Sequence, residues 1–157
     1  MADPLLNDLI DWLRIPSIST GGGKPEDLAR AADWVCERVI AAGGTAAPDT
    51  SHGGHPLAVG ELTASNGDAP TVLIYGHYDV QSVGDRDAWT SDPFEPDIRD
   101  GRIYARGAAD DKGNFLPLLH VACELAKENA LPVNVRVLVE GEEEAGSHAV
   151  AKWIHAD

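Results

Sequence analysis

Three short runs concentrate the side chains able to bind a metal ion or move a proton: GHYDV at 76–80, GAADDKG at 107–113 and EGEEEAGS at 140–147. Together they offer one imidazole and several carboxylates, the ligand types of a hydrolytic zinc site. His77 and Asp79 are two residues apart, so in extended chain both project to the same side. A carboxylate that accepts one ring N–H fixes the tautomer of a histidine and raises the basicity of its other nitrogen. Asp110 and Asp111 lie between Gly107 and Gly113, in a turn free enough for one carboxylate to serve two ions while Lys112 offsets part of the charge. Glu140, Glu142, Glu143 and Glu144 repel one another unless a cation or solvent intervenes. In such a cluster one carboxylate can bind an ion while a neighbour held off the metal deprotonates water.

Each cluster also has a plainer reading. His77 can be a strand-end residue held by its backbone neighbours, either aspartate can cap the helix that follows, and the glutamates can be an acidic first turn that suits a helix dipole. The recurrence separates the readings. Each cluster follows an apolar, β-branched run, and open α/β sheets build their active sites where strands end.

The elements that must position these residues follow from periodicity. Pro4 and the spacing of Leu5, Leu6, Leu9, Ile10 and Leu13 predict a helix over 4–14. Pro25 opens a second, over 25–42, with Leu28, Ala32, Val35, Val39 and Ile40 on one face and Gly43 and Gly44 closing it. Strands are expected over 57–63, 71–75 and 133–139. Asp100-Gly101 between Ile98 and Ile103 signals a two-residue hairpin, because both positions tolerate positive φ. A third helix is expected over 112–129, with Pro117 tolerable only in its first turn, and a helical pattern restarts over 147–154. Strands alternating with helices predict an α/β, three-layer αβα sandwich with a mostly parallel sheet.

Bulk composition excludes several classes. At 157 residues and 43% hydrophobic composition the chain can bury one ordinary core, so one domain is expected. Twenty-six acidic against twelve basic side chains give a net charge of −14, which disfavours nucleic acid and anionic lipid and favours cations. Cys36 and Cys123 fall on apolar helix faces and read as buried free thiols, which suits a reducing, cytoplasmic setting. No apolar run reaches the length needed to span a bilayer, and the acidic N-terminus is unlike a signal peptide.

The motifs GHYDV, DPFEPDIRDGRIYARGAADDKG and LVEGEEEAGS, with WLRIPSIS at 12–19 and GGHP at 53–56, resemble the dizinc metallopeptidase family of carnosinase, carboxypeptidase G, aminoacylase and acetylornithine deacetylase, nearest its dipeptidase branch. The resemblance implies a zinc-exopeptidase-like catalytic domain with two Zn2+, or Mn2+ or Co2+ in their place. It implies that His77 binds one ion, Asp110 bridges both, Glu144 binds the other, Glu143 is the general acid/base and Asp79 orients His77. It also implies a cis peptide between Asp110 and Asp111. The substrate is expected to be a small peptide or N-acyl amino acid, cleaved at its amide bond, and the complete enzyme a homodimer. Ala105 and Ala145 depart from residues frequent in the family, and neither is a ligand. Such enzymes add a further carboxylate and a distant histidine, together with a lid or dimerisation domain. Residues 1–157 are therefore expected to be the N-terminal part of a catalytic domain, and an inactive metal-binding or interaction fragment is the alternative.

The remaining candidates take ordinary roles. His52 and His55 are expected in a solvated glycine loop, and His120, His148 and His155 in the core or at the surface. Trp12, Trp34 and Trp153 are expected to pack on helix faces, and Trp89 to sit in a loop near the second cluster.

Overall fold

A computed structural model describes residues 3–66 and 68–156. Helix α1 (Pro4–Leu13) starts on Asp3, whose side chain accepts from the Leu5 N–H at 3.0 Å, with Pro4 in the first turn. Helix α2 (Pro25–Ala41) has Pro25, Glu26 and Asp27 in its first turn and Arg38 in its last, both favourable with the helix dipole. Strands β1 (Thr45–Asp49), β2 (Leu57–Leu62) and β3 (Thr71–His77) follow, then the hairpin β4 (Asp97–Arg99) and β5 (Arg102–Tyr104). Helix α3 (Lys112–Lys127), strand β6 (Asn134–Glu140) and helix α4 (His148–Ala156) complete the order. The hairpin turn is the expected one, with φ of 51° at Asp100 and 72° at Gly101.

The main sheet has the order β1-β2-β6-β3. Only β3 and β6 are parallel; β1 with β2 and β2 with β6 are antiparallel. The α/β architecture is as expected, but among the described residues the sheet is mixed rather than mostly parallel. The connections explain it: β3 reaches β6 through the crossover helix α3, whereas the short 50–56 loop can join β1 to β2 only as antiparallel neighbours. Strand β1 carries Pro48 and lies at the sheet edge, where a missing N–H is tolerated.

Strand alternation divides the core between the two faces. Ala58, Leu62, Val135, Val137 and Val139 pack with α1, α2 and α3 through Trp12, Val35, Val39, Phe115 and Leu119. Leu57 and Leu138 point the other way, onto Ala149, Val150 and Trp153 of α4. Helices thus cover both faces, which makes three layers and explains the continuous apolar run of β6. Trp12 stacks on Trp34 with centroids 5.0 Å apart. Cys36 and Cys123 are buried and free. Among the described residues no helix is long and apolar enough to cross a membrane.

Two local expectations need correction. Pro117 lies in the second turn of α3, not the first. The carbonyl denied an α-helical partner is that of Gly113, and the buried face of Phe115, Leu116, Leu119, Ala122 and Cys123 carries the helix across the gap. Strand β3 runs two residues further than its apolar stretch, so His77 is its last residue, in register with Glu140.

Candidate metal centre

His77 is 6% exposed, with its two ring nitrogens committed in different directions. Nδ1 lies 3.3 Å from Asp79 Oδ1 and 3.0 Å from the Asp79 carbonyl oxygen. Nε2 lies 3.0 Å from Asp110 Oδ1 and 3.9 Å from Glu143 Oε2. The strand end, the turn before α3 and the turn after β6 therefore meet at one imidazole. Burial opposes a charge on His77, but the hydrogen bonds and negative charge of Asp79 outweigh it and hold the ring at about 9.

Asp110 reaches the imidazole from a turn whose Asp110–Asp111 peptide is cis, as the family resemblance implies. Its side chain is 72% exposed, while Asp111 turns inward, Oδ2 accepting from the His77 N–H at 3.3 Å. The Asp111 carbonyl accepts from the N–H groups of Asn114 and Phe115 and starts α3. Gly76 permits this approach: a Cβ there would stand 2.5 Å from the Phe115 ring and 2.7 Å from the Asp111 carboxylate. Lys112 does not face the carboxylates as a loop counter-charge. It is fully buried, donating to the carbonyls of Trp12 at 3.0 Å and Ile15 at 2.8 Å, and burial pushes its ammonium down to about 7.

Asp79 is also fully buried and gathers four donors. Oδ1 faces His77 Nδ1 and accepts from the Glu143 N–H at 3.2 Å. Oδ2 accepts from the Glu144 N–H at 3.1 Å and from Ser19 Oγ at 2.5 Å. Burial favours its neutral acid, but donation from His77, Ser19 and Glu144 wins and holds the carboxyl below its ordinary range. Asp79 thus contacts both the His77 ring and the backbone of the glutamate turn.

The four glutamates sort by their donors. Glu140 is fully buried: Oε1 accepts from the Tyr75 hydroxyl and, at 3.0 Å, from Ser147 Oγ, and burial raises its pKa. Glu142 accepts the His55 and Ala149 N–H groups. Glu143, with 47% of its side chain exposed, faces His77. Glu144 is tied to the cluster by its backbone, but its carboxylate accepts from Gln81 Nε2 at 2.8 Å. Residue types gave no hint of Ser19, Gln81 or Ser147, ordinary polar side chains recruited by residues remote in sequence. His52 lies 3.9 Å from Asp49, outside this cluster.

The donor set suits a divalent cation. His77 Nε2 and Asp110 Oδ1 are 3.0 Å apart, near the roughly 3.3 Å between two ligands on one tetrahedral ion with bonds of about 2.0–2.1 Å. The shell is nonetheless partial: among the described residues no three His, Cys, Asp or Glu side chains form a group able to hold an ion.

A strand-end imidazole with carboxylates of two turns beside it, on an α/β sheet, is the arrangement in which a hydrolase-type site is to be sought. The family follows from comparison with known proteins. The profile of peptidase family M20/M25/M40 matches residues 73–157, and the chain belongs to this family. It is 44% identical over 92 residues to a cysteinylglycine-S-conjugate dipeptidase of Corynebacterium striatum, covering 58% of this chain and 20% of the relative. It is 37% identical over 142 residues to a succinyl-diaminopimelate desuccinylase of Xanthomonas oryzae pv. oryzae, covering 88% of this chain and 36% of the relative. The crystal structure of an M20 family metallo-carboxypeptidase from Sulfolobus solfataricus superposes with a TM-score of 0.88 at 38% identity, over 99% of this chain and 34% of that one. The chain therefore spans between a fifth and somewhat over a third of these relatives.

Proposed function

We propose that these residues form the N-terminal part of the catalytic domain of a metal-dependent hydrolase that cleaves the amide bond of a small peptide or N-acyl amino acid. The observation that carries this is the division of labour at His77: Nδ1 is held by Asp79, while Nε2 faces Asp110 and Glu143. His77 and Glu144 would each hold one of two divalent ions and Asp110 would bridge them. When bound, the ions supply Lewis acidity that polarises the scissile carbonyl and makes water easier to deprotonate. Glu143 takes the proton from the attacking water and returns it to the leaving amine. Asp79 keeps His77 in one tautomer and holds the Glu143 backbone in place. The further carboxylate and histidine that the family resemblance implies would come from other residues. A reducing, cytoplasmic setting belongs to the same proposal, supported by the two buried free thiols.

A second reading, metal binding without turnover by these 157 residues, is favoured by the partial shell. Zinc titration followed by a dipeptide-hydrolysis assay separates the two. Binding with turnover supports the enzyme, and binding without it supports the fragment. In a turnover-competent form, Glu143→Ala should abolish hydrolysis and leave zinc content nearly intact. Equal loss of both would remove Glu143 from the proton-transfer role.

A further inference from the structure

We propose that Glu142, which faces no ion in the functional reading above, is a positioning residue that clamps the Glu143–Glu144 turn between the 50–56 loop and the start of α4. The proposal rests on that reading, because its consequence is felt through Glu143 and Glu144.

Glu142 is a junction of four hydrogen bonds. Its Oε1 accepts from the His55 N–H at 3.1 Å and its Oε2 from the Ala149 N–H at 2.9 Å. Its carbonyl oxygen accepts from the N–H groups of Ala145 at 3.0 Å and Ser147 at 2.8 Å, closing the turn that carries Glu143 and Glu144. Ser147, the residue before α4, gives its hydroxyl to Glu140. The free N–H of Ala149, second residue of α4, is thereby left for Glu142. On the other side Gly54, at φ +73°, approaches so closely that a Cβ would strike the Glu142 carboxylate.

The chemistry requires a carboxylate. Two backbone donors arrive one on each oxygen, and only a group with two acceptor oxygens satisfies both; an amide must turn its NH2 toward one of them. Asp79 also holds this turn, through the N–H groups of Glu143 and Glu144. Glu143, which faces His77, and Glu144 are thus carried on a backbone held by the carboxylates of Asp79 and Glu142.

The test uses the full 157-residue chain as wild type, Glu142→Gln and Gly54→Ala, the last displacing the carboxylate without removing it. Cobalt(II) titration followed by visible absorption reads the site, amide hydrogen exchange reads the clamp, and urea unfolding in EDTA reads the fold. Both variants should lose protection at His55, Ala149, Glu143 and Glu144. Both should bind cobalt about tenfold more weakly, the low end of what residues supporting metal ligands contribute, with an altered spectrum and cooperative unfolding. A purely structural strut would lower stability without moving the cobalt spectrum, and that result overturns the proposal. If wild type binds no cobalt, the functional reading fails separately, and the clamp is decided by the turn amides: faster exchange at Glu143 and Glu144 upholds it, unchanged exchange overturns it.

Discussion

Replacing Asp79 by asparagine changes one atom and should cost about 3–5 kcal/mol. The carboxylate is fully buried, with two donors on each oxygen: His77 Nδ1 and the Glu143 N–H on Oδ1, Ser19 Oγ and the Glu144 N–H on Oδ2. Asparagine keeps one acceptor oxygen and puts an NH2 in place of the other. With the NH2 at Oδ1, His77 can shift its tautomer to accept, but the Glu143 N–H faces a second donor. With the NH2 at Oδ2, Ser19 can rotate, but the Glu144 N–H is opposed. Either orientation strands one backbone donor, a loss of about 1–3 kcal/mol, and the surviving bonds fall from charge-assisted to neutral strength, roughly 1 kcal/mol each. Urea unfolding in EDTA, followed by circular dichroism, measures the sum. The acid limb gives a second check. Because the folded carboxyl titrates below its ordinary range, its stabilisation is present above the unfolded value near 3.9 and is lost as pH falls through the folded one. Wild type and Asp79→Asn should therefore converge at low pH. A loss under about 1 kcal/mol at neutral pH would refute the four-donor account.

Gly76→Ala places a methyl against the Phe115 ring and the Asp111 carboxylate, so overpacking should lower stability by about 1–3 kcal/mol, read from the same unfolding curves. His77 is held at about 9 and an ion has to displace its proton, so zinc affinity should rise about tenfold per pH unit below that value and level off above it, as calorimetric titration would show. In the metal-free protein the same shift gives stability that is full below the unfolded value near 6.5 and lost as pH rises through about 9. Burial pushes Cys36 and Cys123 up to about 11, so neither should react with a thiol reagent near pH 8 until urea exposes it. As unfolded thiols ionise first, their contribution to stability should fall as pH rises from about 9 towards 11.

Local signals carried most of the fold. Pro4 and Pro25 open their helices where a missing N–H is harmless, and Asp100-Gly101 turns its hairpin on two residues that accept positive φ. Strand β1 escaped notice because Pro48 argues against a strand unless the strand is an edge, and edge position is a property of the whole sheet. Lys112 escaped for a similar reason: the carbonyls that take its ammonium belong to Trp12 and Ile15, a hundred residues earlier.

At the candidate site the limit is sharper, because four chemically identical carboxylates stand within five residues. No property of Glu140, Glu142, Glu143 or Glu144 distinguishes them; their partners do. Tyr75 and Ser147 take up Glu140, the His55 and Ala149 N–H groups take up Glu142 and Gln81 takes up Glu144, while Asp79 binds Glu143 by its backbone and leaves that side chain facing His77. Sequence pattern can say that acidic side chains gather beside a histidine at these strand ends. Which carboxylate serves as strut and which is free for chemistry is decided by donors that only the folded chain brings within reach, so replacing a donor such as Ser147 should re-sort the glutamates without altering any of them.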